Sequence, residues 1–74
     1  MNSMLSFQIV NSQEIQICCD EQGMATLIGA LEKIRPDGGH VHLRGPSCGG
    51  HDLSEETPWR EKAVCEVIIT WAGD

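Results

Sequence analysis

Apolar and polar positions alternate in four stretches of this chain and recur at helical spacing in a fifth. Residues 5–10 (LSFQIV) alternate loosely and predict a first strand. Residues 14–19 (EIQICC) alternate more strictly, with Ile15, Ile17 and Cys19 on one face and Glu14, Gln16 and Cys18 on the other. Asn11 and Ser12 between them are turn formers, so the two runs predict a hairpin. Asp20 then predicts a helix N-cap, and Glu21 in the first turn suits the helix dipole. Met24, Leu27, Ile28, Leu31 and Ile34 fall on one helical stripe, the expected buried face. Gly29 either weakens this helix or lets it lie close to a sheet. Pro36 stops the helix, because the residue before a proline disfavours helical angles, and Asp37-Gly38-Gly39 predict a reversal.

Residues 40–44 (HVHLR) predict a third strand, with Val41 and Leu43 facing one way and His40, His42 and Arg44 the other. Residues 46–62 read as a polar loop, and loops of that length are usually functional or mobile. Within it, Leu53 is expected to pack, Ser54 to cap a following turn, and Thr57-Pro58-Trp59 to begin a helical turn ending at Lys62. Residues 64–71 (VCEVIITW) predict the last strand. Its richer face (Cys65, Val67, Ile69, Trp71) is expected to meet the helix, leaving Val64 and Ile68 on a face open to a partner or a second copy. The expected fold is α+β in the order β-β-α-β-β, a four-stranded, mainly antiparallel sheet with one helix on one face, in a single domain over residues 1–74.

Composition narrows the function. A chain of 74 residues has a small core, here built on Ile, Leu, Val and Met because it holds one Phe, two Trp and no Tyr. No apolar run is long enough to cross a membrane, and residues 1–7 lack the pattern of a signal peptide, so a soluble cytoplasmic protein is expected. The net charge of −6 argues against nucleic acid and suits either simple solubility or a basic protein partner. The cysteines at 18, 19, 48 and 65 form no C-x-x-C pair, and without a secretory context they are expected as free thiols, Cys65 as a small core residue.

The chemistry-bearing residues concentrate between Pro36 and Glu56, which hold all three histidines and most of the glycines. His40 and His42 point to one side of a strand and, with Cys48, His51 or Cys18, form a candidate zinc site. A lone H-x-H lacks the spacing of a full ligand set, and the favoured alternative is that these histidines hold the glycine-rich loop in place. Cys48 beside Ser47, with His51 three residues on, resembles a nucleophile and base only superficially, since neighbours in a loop seldom reach the required geometry. Gly49-Gly50 lacks the lysine of a phosphate-binding loop and reads as a tight turn. No enzyme activity and no cofactor are expected.

One resemblance extends this reading. The residues Gly39, His40, Val41, His42 and Leu43, then Gly49 and Gly50, then Asp52, Leu53 and Ser54 resemble the immunity protein 32 family, small bacterial proteins encoded beside polymorphic toxins. The resemblance implies a non-catalytic protein that protects the producing cell by binding a cognate toxin. Under it, Asp20, Asp52, Glu55 and Glu56 are candidates to meet basic groups of the toxin, with Glu55 and Glu56 otherwise solvated, and Arg44, His51 and Ser54 belong to the same candidate surface. Trp59 in the long loop is the candidate anchor, because buried anchors contribute more to affinity than rim charges; the competing expectation folds it over the edge of the core. A homodimer remains compatible with this role.

Overall fold

The computed structural model describes residues 4–36 and 38–73. Strand β1 (Leu5–Asn11) and strand β2 (Glu14–Cys19) form the predicted antiparallel hairpin. Asn11 closes it: its Oδ1 accepts the Gln13 N–H at 2.8 Å, and its amide donates to the Glu14 carboxylate. The register sets Leu5 opposite Cys19, Phe7 opposite Ile17 and Ile9 opposite Ile15, so the apolar side chains share one face.

Helix α1 (Glu21–Ile34) begins at the predicted cap, where Asp20 accepts the Gly23 N–H at 2.7 Å. The Asp20 N–H in turn donates to the Met4 carbonyl at 3.0 Å, fastening the helix start to the start of β1. At the other end the Gly38 N–H donates to the Ile34 carbonyl at 2.7 Å. Asp37, the first residue of the predicted reversal, lies outside the described residues, as do residues 1–3 of the segment read for a signal peptide.

The buried face of α1 differs from the predicted stripe. Gly23, Ala30 and Ile34 are buried and Leu27 is half-buried, whereas Met24, Ile28 and Leu31 are exposed. The cause is a close approach. A β-carbon on Gly23 would overlap the carbonyl of Met4, so the first turn of the helix faces the start of β1 at Gly23 and turns its neighbour Met24 outward. Gly29, the glycine that the sequence singled out, has open space where a β-carbon would stand.

Strand β3 (His40–Arg44) pairs antiparallel with strand β4 (Glu66–Thr70), His40 opposite Thr70 and Arg44 opposite Glu66. The expected four-stranded sheet is instead two separate two-stranded ladders, β1–β2 and β3–β4. The long loop explains the break. The second edge of β1 is occupied at two points, where Leu5 O accepts from Ser54 N–H at 2.8 Å and Phe7 O from Val64 N–H at 2.9 Å. Regular pairing of the last segment starts only at Glu66, later than the predicted residue 64, and it is made with β3.

The helix packs against β1, β2 and β3, and the core gathers Leu5 and Phe7 from β1, Ala30 from the helix, Leu43 from β3 and Leu53 from the loop. Val67 and Ile69 pack against it from β4 while Glu66, Ile68 and Thr70 face outward, as the alternation predicts; Val64, expected on the open face with Ile68, instead packs against the core, because its N–H is drawn to the Phe7 carbonyl of β1 before regular pairing with β3 begins. Leu53 in the loop is 5% exposed, so the loop supplies core as well as connection.

The two helix glycines separate cleanly in a stability test. Gly23→Ala is expected to destabilise the fold by at least about 3 kcal/mol through overlap with backbone, and Gly29→Ala to stabilise it by roughly 0.5–1 kcal/mol through helix propensity. Urea unfolding of both variants measures the contrast.

Candidate functional site

The polar face of β3 is a small charge network. Glu66, on the opposing strand, uses one carboxylate oxygen to accept Arg44 Nε–H at 3.0 Å and to meet His42 Nδ1 at 2.7 Å. These two partners, His42 first, hold the Glu66 carboxyl below the ordinary carboxylate range. The His40 and His42 rings stand edge to face with centroids 5.0 Å apart. Among the described residues, no group of three or more His, Cys, Asp or Glu side chains is placed to hold a metal ion. His42 is turned to Glu66 and Cys48 to Cys65, and His51 lies in an exposed bend.

Beyond β3 the chain folds tightly. Gly45 leads into a short 3₁₀ turn, Pro46–Cys48, closed by Gly49, whose φ of 83° is left-handed and whose N–H donates to the Pro46 carbonyl at 3.1 Å. Gly50 then passes so close to the strand end that a β-carbon would lie 2.6 Å from Arg44 Cβ and 2.7 Å from Arg44 O. This permits the N–H groups of Asp52 and Leu53 to donate to Arg44 O at 2.9 and 3.2 Å, while Asp52 Oδ2 accepts the Arg44 N–H at 3.2 Å. Leu53 enters the core, and Ser54 N–H reaches β1. The Gly-Gly-His-Asp-Leu-Ser run is therefore a splice between the end of β3 and the free edge of β1.

Three loop expectations change. Glu55 is half-buried, and its carboxylate accepts from Ser47 N–H at 2.8 Å and Ser47 Oγ–H at 2.7 Å, bonds that lower its pKa. It is a tether across the loop, whereas Glu56 remains exposed. The segment from Thr57 is a miniature hairpin and not a helical turn. Ala63 N–H donates to Glu55 O at 2.9 Å, Thr57 N–H to Glu61 O at 2.7 Å, and Glu56 bridges to Lys62. Its tip is Pro58-Trp59-Arg60, with Arg60 at φ 69°, the three-residue hairpin form that ends in a left-handed residue. Capping falls to Thr57, 3% exposed, whose Oγ1 accepts the Glu61 N–H at 2.9 Å, and not to Ser54. Trp59 is thereby displayed at the tip, 45% exposed, with Nε1–H donating to Glu61 at 2.5 Å.

Cys48 meets a second cysteine rather than a histidine base. The Cys48 and Cys65 Sγ atoms lie 2.6 Å apart. That contact, then burial and the nearby charges of Glu66 and Glu55, push its pKa above the ordinary 9.0, so the thiolate is scarce at neutral pH.

A second feature lay outside the candidates that the sequence offered. The outward part of the helix stripe and Trp71 line an open groove of about 380 Å³, formed by Ile28, Leu31, Ile34 and Trp71 with Glu32 and Arg35 at its side. Its cue in the sequence was the width of the helical stripe, five large residues on a helix whose core contact needs only part of them. The role of Glu66 also had a cue, a carboxylate in a strand expected to pair with the H-V-H-L-R run. The contacts Ser47–Glu55 and Cys48–Cys65 had none. Comparison of the chain with protein-family models, curated proteins and solved structures finds no match.

The Glu55 and Glu66 carboxyls both have depressed folded-state pKa values, so their stabilising contribution is complete above the ordinary value of 4.5 and is lost as pH falls through the lower folded value. Glu55→Gln and Glu66→Gln are each expected to melt a few degrees below the unaltered protein at pH 7. The gap should close on acidification below 4.5, and melting curves across pH measure it.

Proposed function

We propose that this chain is a non-catalytic binding protein of the bacterial immunity type, cytoplasmic, which occupies and neutralises a cognate protein toxin. The observation that carries the reading is apolar surface beyond what the core uses. The groove of Ile28, Leu31, Ile34 and Trp71 continues the exposed stripe from Met24, and it is bordered by Glu32 and Arg35. An apolar patch with a charged border is the usual form of a protein-binding surface. The net charge of −6 favours a basic partner and faster encounter with it. The resemblance carried by His40, His42 and the Gly49–Ser54 run names the kind of partner.

Trp59 is the second contact that this reading uses. An indole held at a hairpin tip by its own hydrogen bond is ordered before binding, which lowers the entropy lost on docking. Asp20 is engaged as the helix cap, Glu55 as a tether and Asp52 by the Arg44 N–H, so the rim charge of this proposal is the exposed Glu56. Inhibition is by occlusion: the partner's working surface is covered, and no bond is made or broken.

The test is co-expression with the product of the neighbouring reading frame. Rescue of growth and a stable complex are expected. Trp59→Ala should weaken that complex about 30-fold, and Ile28→Asp should abolish it, both with the melting temperature retained. A neighbour that is not toxic, or a toxicity that this protein does not relieve, overturns the proposal. Sedimentation of the isolated protein at twice 8.1 kDa, with the doubling removed by Ile28→Asp, assigns the groove to a second copy instead.

A further inference from the structure

Cys48 and Cys65 are brought together by the backbone before their side chains meet. Cys48 N–H donates to the Gly45 carbonyl at 3.0 Å, and Gly45 N–H donates to the Cys65 carbonyl at 2.8 Å. Both cysteines are thus fastened to the same residue. The Gly49 N–H on Pro46 O and the Ser47 contacts to Glu55 hold the turn that carries Cys48, while Val64 and Glu66, on either side of Cys65, are bonded to β1 and paired with β3. The two sulfurs face each other at 2.6 Å, and both residues are half-buried. Cys18 and Cys19, adjacent on a strand and directed to opposite faces of β2, have no such arrangement.

We propose that Cys48 and Cys65 are a dithiol modification site, oxidised by small-molecule disulfides to an intramolecular disulfide that fastens the long loop at its base. The inference does not depend on the identity of any partner. The step is two successive exchanges. One cysteine thiolate attacks a disulfide RSSR, forming a mixed protein disulfide and releasing RS⁻. The other cysteine, as thiolate, attacks the protein sulfur of that mixed disulfide, forming the Cys48–Cys65 bond and releasing a second RS⁻. The protein gives up two thiol protons and two electrons, and RSSR is reduced to two RSH. The closed ring spans residues 48–65 and contains Leu53, the buried Thr57 and the hairpin that presents Trp59. Oxidation therefore restrains the segment that both completes the core and displays the indole. The reduced pair is the resting state in a reducing compartment, where thiols persist. The raised pKa of Cys48 makes exchange slow at neutral pH and faster as pH rises.

The experiment treats the whole chain with excess oxidised glutathione at pH 7 and pH 9, blocks remaining thiols with N-ethylmaleimide and maps the tryptic peptides. Cleavage after Arg44, Arg60 and Lys62 places the cysteines on separate peptides, 45–60 and 63–74. A disulfide-linked pair of these peptides is expected, formed faster at pH 9, with a melting midpoint about 10 °C above that of the reduced protein. The Cys18→Ser/Cys19→Ser double variant should form it equally. Cys65→Ser should stop at a glutathione adduct on Cys48, with no rise in melting. The proposal is overturned if Cys48 and Cys65 both remain alkylated by maleimide, if each carries its own glutathione, or if the links fall to Cys18 or Cys19. The map of the unaltered protein decides the matter even if a variant fails to fold.

Discussion

Strand β1 has both edges in use, and the rest of the molecule follows from how the second edge is filled. One edge takes β2 along its length. The other offers the carbonyls of Leu5 and Phe7, beside side chains that are buried, where an acceptor without a partner is costly. The N–H groups of Ser54 and Val64 supply the partners, and they lie at the two ends of the segment that makes the miniature hairpin. The long loop is therefore a wall of the domain. Removing either contact would expose the core between the two ladders, because Leu53 and Ala63 stand next to those donors in sequence and are buried.

The elements were legible in the chain because their signals are local. Period-two alternation marked β1, β2 and β3 closely, and Asp20 and Pro36 bounded the helix. What was not legible depended on distant backbone. The helix stripe of Met24, Ile28 and Leu31 reads as buried until the Met4 carbonyl, unseen by any helical pattern, requires a residue without a β-carbon at Gly23 and rotates the helix about its axis. The single sheet failed for a similar reason: nothing in V-C-E-V-I-I-T-W says that its first residue bonds β1 while its centre pairs with β3. Among the candidate residues, Gly49, Gly50, Asp52, Leu53 and Ser54 have their geometry accounted for by joining β3 to β1. His42 and Arg44 converge on Glu66, and Trp59 stands apart at a tip. The dense motif thus has an architectural explanation, while the open apolar groove lies on the helix.

That division matters for how such a protein changes over time. The splice tolerates little, since Gly50 packs on Arg44 and Leu53 is core. The helix groove and the hairpin tip hold almost nothing else in place. Under the proposed binding role, substitutions at Ile28, Leu31, Trp59 or Trp71 would alter what is bound with limited effect on folding, placing specificity and stability on separate residues.

The hairpin of β1 and β2 leads to a last consequence. No described strand covers the outer edge of β2, Ile15 and Ile17 are exposed upon it, and its only charge is Glu14. Such an edge is a template for strand addition, and proteins ordinarily defend it with lysines, prolines or bulges placed on the strand itself. Here the defence is global: each molecule carries the same excess of negative charge, so two edges repel before they can register. That protection is colloidal and weakens as acid titrates the carboxylates toward the sequence isoelectric point of about 4.8. Acidification therefore weakens the one repulsion that keeps two exposed β2 edges apart.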